Sequence, residues 1–269
     1  MARVTVDGVG ISYEVAGEGR PVLLLHGFPD TGACWRHQVP ALVGAGFQVV
    51  VPDLRGYGDS DKPSDVAAYS FPFLAGDVLG VLDDLGIQRA HVVGHDWGAA
   101  LGWVLASLVA DRVDQLAVLS VGHPSGFLRT LEQREKSWYM LLFQFEGVAE
   151  HWLSDDDWAN FHEWSRHPDP AVTTRLEADH SLTPALNYYR ANLSPQTWIA
   201  PPVELAPVAA STMGIWSTGD MALTEVQMTD SRAHVTGPWR YERVDGAGHW
   251  PQLEAPDRVN ELLVDFLER

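Results

Sequence analysis

In the segment VVGHDWGAA, the residue most clearly suited to perform chemistry is Asp96, which lies between Gly94 and Gly98. This is the G-x-nucleophile-x-G spacing of a sharp strand-to-helix turn, which exposes its central side chain at the top of a sheet. A carboxylate placed there stays ionised beside the helix N-terminus, and it can attack a saturated carbon to form an alkyl ester. The alternative is that Asp96 only caps the helix, but the paired glycines favour a nucleophile.

A second acid and a histidine follow in the order that such a turn requires. His249 stands in the Gly-rich segment GAGHWPQLEAP, directly after a strand-like run. Asp220 ends the strand-like run GIWSTGD, and we expect it to orient the imidazole. Asp245 and Glu225 are alternative orienters. The sequence therefore predicts an Asp-His-Asp triad.

Backbone N–H groups complete the predicted chemistry. The segment LLLHGFPD places a Gly-containing turn after a buried run, and such a turn can aim an N–H at a developing oxyanion. The second donor is the N–H that follows the nucleophile. We expect these donors to be the backbone nitrogens of Phe28 and Trp97.

The elements that position these groups can be read from the hydrophobic pattern. Residues 3–17 alternate about Asp7-Gly8, which predicts an antiparallel hairpin. Continuous apolar runs such as PVLLLHG and FQVVVPD are typical of strands buried on both faces. Helix-like segments separate these runs, so we predict an α/β protein with a mostly parallel sheet and helices on both faces.

Between residues 126 and 208 this alternation stops, and aromatic, helix-forming segments replace the short buried runs. Strand and helix patterns then resume. We therefore predict that residues 126–208 form a helical lid inserted into a core made of residues 1–125 and 209–269.

Composition limits the class of protein. The 269 residues are 46% hydrophobic and 20% charged, as in ordinary globular domains. The net charge of −18 argues against nucleic acid or an anionic membrane as partner. Cys34 is the sole cysteine, so neither an intrachain disulfide nor a cysteine zinc cluster is expected. The start of the chain has no apolar signal core, which favours a cytoplasmic location. Only two lysines occur among 18 basic residues, which hints at a bacterial source.

Four motifs together, HGFP, PDLRGYGDSDKP, GHDWG and GAGHWPQLEAP, resemble the α/β-hydrolase superfamily, and specifically its aspartate-nucleophile branch of epoxide hydrolases and related dehalogenases. The resemblance covers nearly the whole chain. It implies an α/β-hydrolase fold with an eight-stranded sheet and a helical cap. It also implies a hydrolase acting on ether bonds that needs neither cofactor nor metal.

The same resemblance points to two lid tyrosines, which hold and protonate the epoxide oxygen in that family. One precedes a Phe-Gln pair by four residues, and here YMLLFQ supplies Tyr139. The other lies in an Asn-aromatic-Tyr-Arg segment, and here NYYR supplies Tyr189, with Tyr188 as the neighbour that could be confused with it. Tyrosines of a helical lid are otherwise commonly core residues.

The implied reaction converts a small hydrophobic epoxide and water into a vicinal diol through an ester on Asp96. In the second step His249 activates the water that hydrolyses this ester. The expected substrate pocket is aromatic, and its predicted lining residues are Phe28, Trp97, Trp138, Phe143 and Trp250. The oligomeric state is left open.

Two alternatives remain open from the sequence. A dehalogenase acting on a haloalkane or haloacid would use the same triad, with the indole of Trp97 as a halide donor, but Phe28 stands where a polar second donor would be expected. A non-catalytic small-molecule receptor on the same fold would be expected to lose triad members, and all three are present.

Overall fold

The computed structural model describes residues 1–201 and 203–269. The chain begins with a hairpin in which β1 (Ala2–Val6) pairs antiparallel with β2 (Val9–Ala16). The two turn residues have positive φ, 48° at Asp7 and 83° at Gly8, a conformation that Asp and Gly tolerate best. The hairpin predicted about these two residues is confirmed.

Further strands extend the same sheet. They are β3 (Arg20–Leu25), β4 (Phe47–Pro52), β5 (Ala90–His95), β6 (Val113–Leu119), β7 (Ser211–Ser217) and β8 (Trp239–Val244). Among the described residues, eight strands form one sheet in the order β1-β2-β4-β3-β5-β6-β7-β8. Strands β3 to β8 pair in parallel, and β2 joins β4 antiparallel. The predicted mostly parallel sheet is confirmed.

Helices connect the parallel strands and build the insertion between β6 and β7. They are α1 (Gln38–Gly44), α2 (Phe71–Asp84), α3 (Trp97–Leu108), α4 (Leu131–Lys136), α5 (Trp138–Leu142), α6 (Val148–Ser165), α7 (Val172–Ala178), α8 (Leu182–Asn192), α9 (Glu225–Thr229), α10 (Pro251–Glu254) and α11 (Pro256–Leu267). Helix α6 is interrupted at residues 155–158, where the backbone leaves the helical region.

The central strands are buried on both faces, which explains their continuous apolar sequence. In β3, Leu23 and Leu25 belong to one hydrophobic core, while Val22 and Leu24 belong to another. Helices α2 and α3 contribute to the first core, and α1 and α11 contribute to the second. The sheet therefore lies between two helical layers, as expected for an α/β fold.

Helices α4 to α8 all lie within the insertion at residues 126–208, whose boundaries stay a prediction. Two buried contacts tie these helices to the core. The hydroxyl of Tyr188 donates to the carbonyl of Arg55 at 2.7 Å, and His167 lies 3.3 Å from the carboxylate of Asp30. The insertion thus contacts the segments that follow the carboxyl ends of β3 and β4.

In the part of the chain that the structure describes, no helix combines the length and the apolarity that a membrane crossing requires. A cytoplasmic location stays a prediction.

Candidate active site

Asp96 stands alone in the turn between β5, which ends at His95, and α3, which begins at Trp97. Its backbone has φ 51° and ψ −118°, a region that costs a non-glycine residue about 1–3 kcal/mol. The close turn requires Gly94 and Gly98, because a side chain on either would collide with neighbouring backbone. The Asp96 side chain makes no capping hydrogen bond to α3, so the alternative of a simple helix cap does not describe it.

The carboxylate of Asp96 is held from two sides. Its Oδ1 accepts a hydrogen bond from the backbone N–H of Phe28 at 2.7 Å, and its Oδ2 lies 3.6 Å from Nε2 of His249. Burial by itself raises the pKa of this carboxyl, but His249 and the Phe28 N–H outweigh it and lower the pKa below the ordinary value. Asp96 is therefore ionised at neutral pH.

Because Gly27 has no side chain, the Asp96 carboxylate can lie close to both predicted oxyanion donors. A Cβ at this position would collide with the Asp96 carboxylate and lie 2.7 Å from the backbone nitrogen of Trp97. The Phe28 and Trp97 nitrogens therefore flank the same carboxylate. Their role as an oxyanion hole stays a prediction.

His249 follows β8 and reaches back over the sheet to Asp96. Its Nδ1 lies 2.9 Å from Oδ2 of Asp220, whose Oδ1 accepts from the backbone N–H groups of Ala222 and Leu223 at 2.9 and 2.8 Å. Asp220 is thus fixed by its own loop and oriented toward the imidazole. The structure brings together the three predicted triad residues.

The two alternative orienters lie elsewhere. Asp245 is exposed and pairs with Arg243 at 2.9 Å. Glu225 accepts a hydrogen bond from the hydroxyl of Tyr241 at 2.8 Å. Of the three acids considered, Asp220 is the partner of His249.

The imidazole of His249 carries a proton in this arrangement. Burial by itself lowers its pKa, but the carboxylates of Asp220 and Asp96 more than compensate and raise the pKa to about 10. The resting site therefore contains an imidazolium between two carboxylates.

His95, which the sequence analysis did not single out, fixes the backbone of His249. Its Nε2 lies 2.8 Å from the carbonyl oxygen of His249, which also accepts from the hydroxyl of Ser120 at 2.8 Å. Burial and the nearby charge of His249 lower the pKa of His95 to about 4, so the ring is neutral. Because the carbonyl only accepts, we assign the His95 proton to Nε2. The sequence signal that could have identified His95 is its position directly before the predicted nucleophile, Asp96.

Tyr139 on α5 and Tyr189 on α8 are 3% and 2% exposed, and their rings lie 6.0 Å apart between centroids. Burial first, and then the charge of Asp96, raises the pKa of both phenols well above the ordinary value. Both therefore stay protonated at neutral pH. Tyr188 differs from Tyr189, because its hydroxyl is engaged with the carbonyl of Arg55.

The polar residues beside the tyrosines explain their local sequence context. Gln144 donates through Nε2 to the carbonyls of Met140 and Tyr189, at 3.0 and 3.3 Å. Arg190 donates through Nε to the carbonyl of Phe143 at 2.9 Å. These side chains connect the segment that carries Tyr139 to helix α8, so the two phenols are positioned together.

Two cavities of unequal size share Asp96 as a lining residue. The larger has a volume of about 190 Å³ and the smaller about 20 Å³. Asp96, Tyr139 and Tyr189 line both cavities. Of the described residues, His249 lines only the smaller one. The carboxylate and the phenols therefore lie between two spaces that differ about tenfold in volume.

The pocket prediction was partly wrong. Trp97 lines the larger cavity, and Phe28 and Trp250 line the smaller one. Neither cavity, as far as the described residues define it, is lined by Trp138 or Phe143. Trp138 is 45% exposed and packs edge-on against Trp152 on the outer side of the lid. Phe143 is fully buried behind the two tyrosines, with ring centroids 5.4 Å from Tyr139 and 5.0 Å from Tyr189.

Residues that the sequence analysis did not name complete the cavity walls. Trp164, Met221 and Ala222 bound the smaller cavity. Phe127 and Leu128 are among the residues that bound the larger one. Within residues 1–201 and 203–269, no three His, Cys, Asp or Glu side chains are grouped closely enough to hold a metal ion.

The sequence model of the α/β-hydrolase fold family matches residues 20–256 of this chain. Epoxide hydrolase A of Mycobacterium tuberculosis is 34% identical over 98% of this chain and 96% of its own length. Among solved structures, epoxide hydrolase A from Mycobacterium thermoresistibile superposes with a TM-score of 0.80 at 31% identity, covering 99% of this chain and 97% of that one. A Bacillus megaterium epoxide hydrolase in complex with an inhibitor gives a TM-score of 0.88 at 29% identity, with full coverage of both chains. These similarities extend over the core and the lid alike.

Proposed function

Because the chain belongs to the α/β-hydrolase fold family and, within it, to the epoxide hydrolases, we propose that it converts an epoxide and water into a vicinal diol through an ester on Asp96. One observation carries the proposal: an ionised carboxylate and two protonated phenols, all buried, line the same two cavities. Such a set supplies a nucleophile and an acid to one substrate at the same time.

Ring opening needs both groups, because the oxygen that leaves the attacked carbon of an epoxide is a strongly basic alkoxide. One carboxylate oxygen of Asp96 bonds to a ring carbon while the ring C–O bond breaks and its electron pair stays on the departing oxygen. Tyr139 and Tyr189 donate hydrogen bonds to that oxygen, and one of them transfers its proton. General acid catalysis of this kind contributes about 10²–10⁴-fold in rate.

Ester formation converts His249 into the base that the second step requires. The imidazole is protonated because the carboxylates of Asp220 and Asp96 raise its pKa. Esterification removes the charge of Asp96, so the pKa of His249 falls and the ring can release its proton. That proton replaces the one which the tyrosine gave to the alkoxide, and the phenols are protonated again.

Hydrolysis then restores the resting site. Neutral His249, still held by Asp220, takes a proton from water as the water oxygen attacks the ester carbonyl carbon. The N–H groups of Phe28 and Trp97 stabilise the oxyanion, a contribution of about 3 kcal/mol per donor. The bond between the carbonyl carbon and the substrate oxygen breaks, and the proton that remains on the added water oxygen passes to the departing oxygen. The diol then leaves, and Asp96 is again a carboxylate beside a protonated His249.

The smaller cavity supports this second step. Its volume of about 20 Å³ suits one water molecule, which needs at least about 10–15 Å³ by this measure. His249 and Asp96 both line it, so a water held there lies against the base and the ester.

The paired phenols also favour an epoxide over a halide as leaving group. A halide is a weak base that requires hydrogen-bond donors for an anion but no proton. The indole of Trp97 packs edge-on against Tyr189, with ring centroids 5.0 Å apart, so an acid lies directly beside the predicted halide donor.

The decisive experiment is a single turnover of styrene oxide in ¹⁸O-labelled water with enzyme in excess. The ester route leaves the water oxygen in the Asp96 carboxylate, so we expect a labelled Asp96 peptide and an unlabelled diol. Both are measured by mass spectrometry.

The same measurement can overturn the proposal. Direct attack of water on the epoxide would label the diol in the first turnover and leave Asp96 unlabelled. The matched control is Asp114→Asn, which changes an exposed carboxylate on β6 and should leave the labelling of Asp96 unchanged.

A further inference from the structure

The reaction centre borders a large cavity and a much smaller one. Asp96, Tyr139 and Tyr189 line both cavities, so an epoxide ring that contacts all three is bordered by residues of both. A group attached to the ring has about 190 Å³ available on one side and about 20 Å³ on the other.

The walls of the smaller cavity are large, closely packed side chains. Trp164 packs against Tyr139 with ring centroids 4.7 Å apart and against Phe28 at 6.3 Å. Trp250 is held between His249 and His167, with centroid distances of 4.8 and 4.4 Å. Close-packed interiors resist enlargement, so this side keeps its volume.

Under the proposed function, the smaller cavity must also hold the water that hydrolyses the ester. Among the described lining residues of the two cavities, His249 belongs to this one alone, so the water that it activates must lie here. The cavity of about 20 Å³ has room for one water, which needs about 10–15 Å³. A methyl or larger group on this side of the ring would displace it.

The larger cavity favours an apolar substituent, because its polar side chains other than the three reacting groups are already engaged. Asn192 donates to the carbonyls of Tyr69 and Tyr188 and accepts from the backbone N–H of Phe71. The hydroxyl of Thr197 donates to the carbonyl of Ser194. The remaining wall is mostly hydrocarbon, and it includes the side chains of Phe71, Trp97, Val121, Phe127, Leu128 and Leu223.

The volume of the larger cavity sets the size of that substituent. An apolar protein cavity of about 150 Å³ binds benzene. A volume of about 190 Å³ therefore accommodates one aromatic ring with a short linker, or an alkyl chain of similar bulk.

From this geometry we propose, on the basis of the proposed function, that the substrates are terminal epoxides bearing one apolar aryl or alkyl group. The group occupies the larger cavity, and the unsubstituted CH₂ carbon of the ring faces the water-sized one. Epoxides substituted in trans on both carbons are excluded, because one substituent would take the place of the hydrolytic water.

The first test measures kcat/KM for styrene oxide, trans-β-methylstyrene oxide and trans-stilbene oxide. One misplaced methyl group is worth about 10–200-fold in discrimination, so we expect styrene oxide to be preferred by at least about 10-fold over the methyl compound. We expect no measurable turnover of trans-stilbene oxide. Equal kcat/KM for the three compounds would overturn the proposed preference for terminal epoxides, but it would leave the proposed function standing. Failure to open any of them, together with no ester on Asp96, would overturn both.

The second test changes one wall at a time. Met221→Ala enlarges the smaller cavity, and we expect it to raise kcat/KM for trans-β-methylstyrene oxide relative to styrene oxide by about 10-fold. The matched control, Val121→Ala, enlarges only the larger cavity and should leave that ratio unchanged. Using the ratio removes the intrinsic reactivity difference of the two epoxides. The same change in both variants, or in neither, would contradict the assignment of the two sides.

Discussion

Nε2 of His249 lies 3.6 Å from Oδ2 of Asp96, close enough for their charges to interact but longer than an ordinary hydrogen bond. Each residue shifts the pKa of the other: Asp96 helps to raise the pKa of the imidazole to about 10, and His249 lowers the pKa of the carboxyl. Esterification of Asp96 removes one partner of this pair. The two chemical steps are therefore coupled through the charge of a single carboxylate.

Replacing the base should separate the two steps. His249→Gln retains the nucleophile and the tyrosines, so an ester still forms on Asp96, but its hydrolysis loses a base and slows by about 10²–10⁴-fold. We expect intact-protein mass spectrometry after mixing with styrene oxide to show an adduct of one epoxide per chain. Asp96→Asn is the control and should form no adduct. Rapid diol production by His249→Gln without an adduct would show that His249 is not the base.

The two chemical steps should depend differently on pH. The lowered pKa of Asp96 keeps the carboxylate ionised through the neutral and mildly acidic range, so ester formation should vary little there. Ester hydrolysis needs neutral His249, which becomes less abundant as pH falls because Asp220 still favours the protonated ring. The ester should therefore accumulate as pH is lowered from about 9 to 5. Rapid-quench mass spectrometry measures the esterified fraction, and a fraction independent of pH would contradict this coupling.

The triad could be predicted because it depends on local order along the chain. Asp96, Asp220 and His249 each follow a strand of a parallel sheet, and the carboxyl ends of such strands meet at one edge. Tyr139 and Tyr189 were predicted from their family contexts, and in this structure Gln144 and Arg190 link the two segments that carry them.

The cavity walls could not be predicted in the same way. They depend on how short lid helices cross the core, and a one-residue difference on a helix turns a side chain by about 100°. Trp138 and Tyr139 are adjacent on α5, yet Trp138 points outward and Tyr139 reaches both cavities. His95 was missed because its partner, the carbonyl of His249, is 154 residues away in sequence.

Removing the phenolic hydroxyls should slow ring opening specifically. Tyr139→Phe and Tyr189→Phe each leave one donor, so we expect a partial loss in the rate of ester formation, and the double variant should lose about 10²–10⁴-fold. Stopped-flow tryptophan fluorescence or rapid-quench mass spectrometry measures this rate. Tyr188→Phe is the matched control, because its hydroxyl binds the carbonyl of Arg55 and should affect stability by about 1 kcal/mol but not ring opening. Ester formation at the wild-type rate in the double variant would remove both phenols from the mechanism.

Breaking the buried ion pair of Arg55 and Asp77 by removing one partner should be costly. The guanidinium of Arg55 binds both carboxylate oxygens of Asp77 at 2.5 and 2.6 Å, and both side chains are almost fully buried. Burial is the dominant influence on Asp77 and raises the pKa of its carboxyl despite Arg55, so the pair itself adds little net stability. Removing only one partner is different, because it leaves the other charge buried without compensation. We expect Asp77→Ala to lower the free energy of unfolding by about 3–5 kcal/mol.

Asp83 offers a matched control on the same helix, α2. It pairs with Arg112 at 2.7 Å, but its side chain is largely exposed, and surface pairs contribute about 0–1 kcal/mol. Urea denaturation followed by circular dichroism should therefore show a large loss for Asp77→Ala and a small one for Asp83→Ala, with similar m-values. Equal losses would mean that burial does not control the energetics of these pairs. Asp77→Ala should also affect catalysis, because the carbonyl of its partner Arg55 accepts a hydrogen bond from the hydroxyl of Tyr188, next to Tyr189. We expect this variant to have a lower kcat/KM for styrene oxide even at temperatures well below that at which it unfolds.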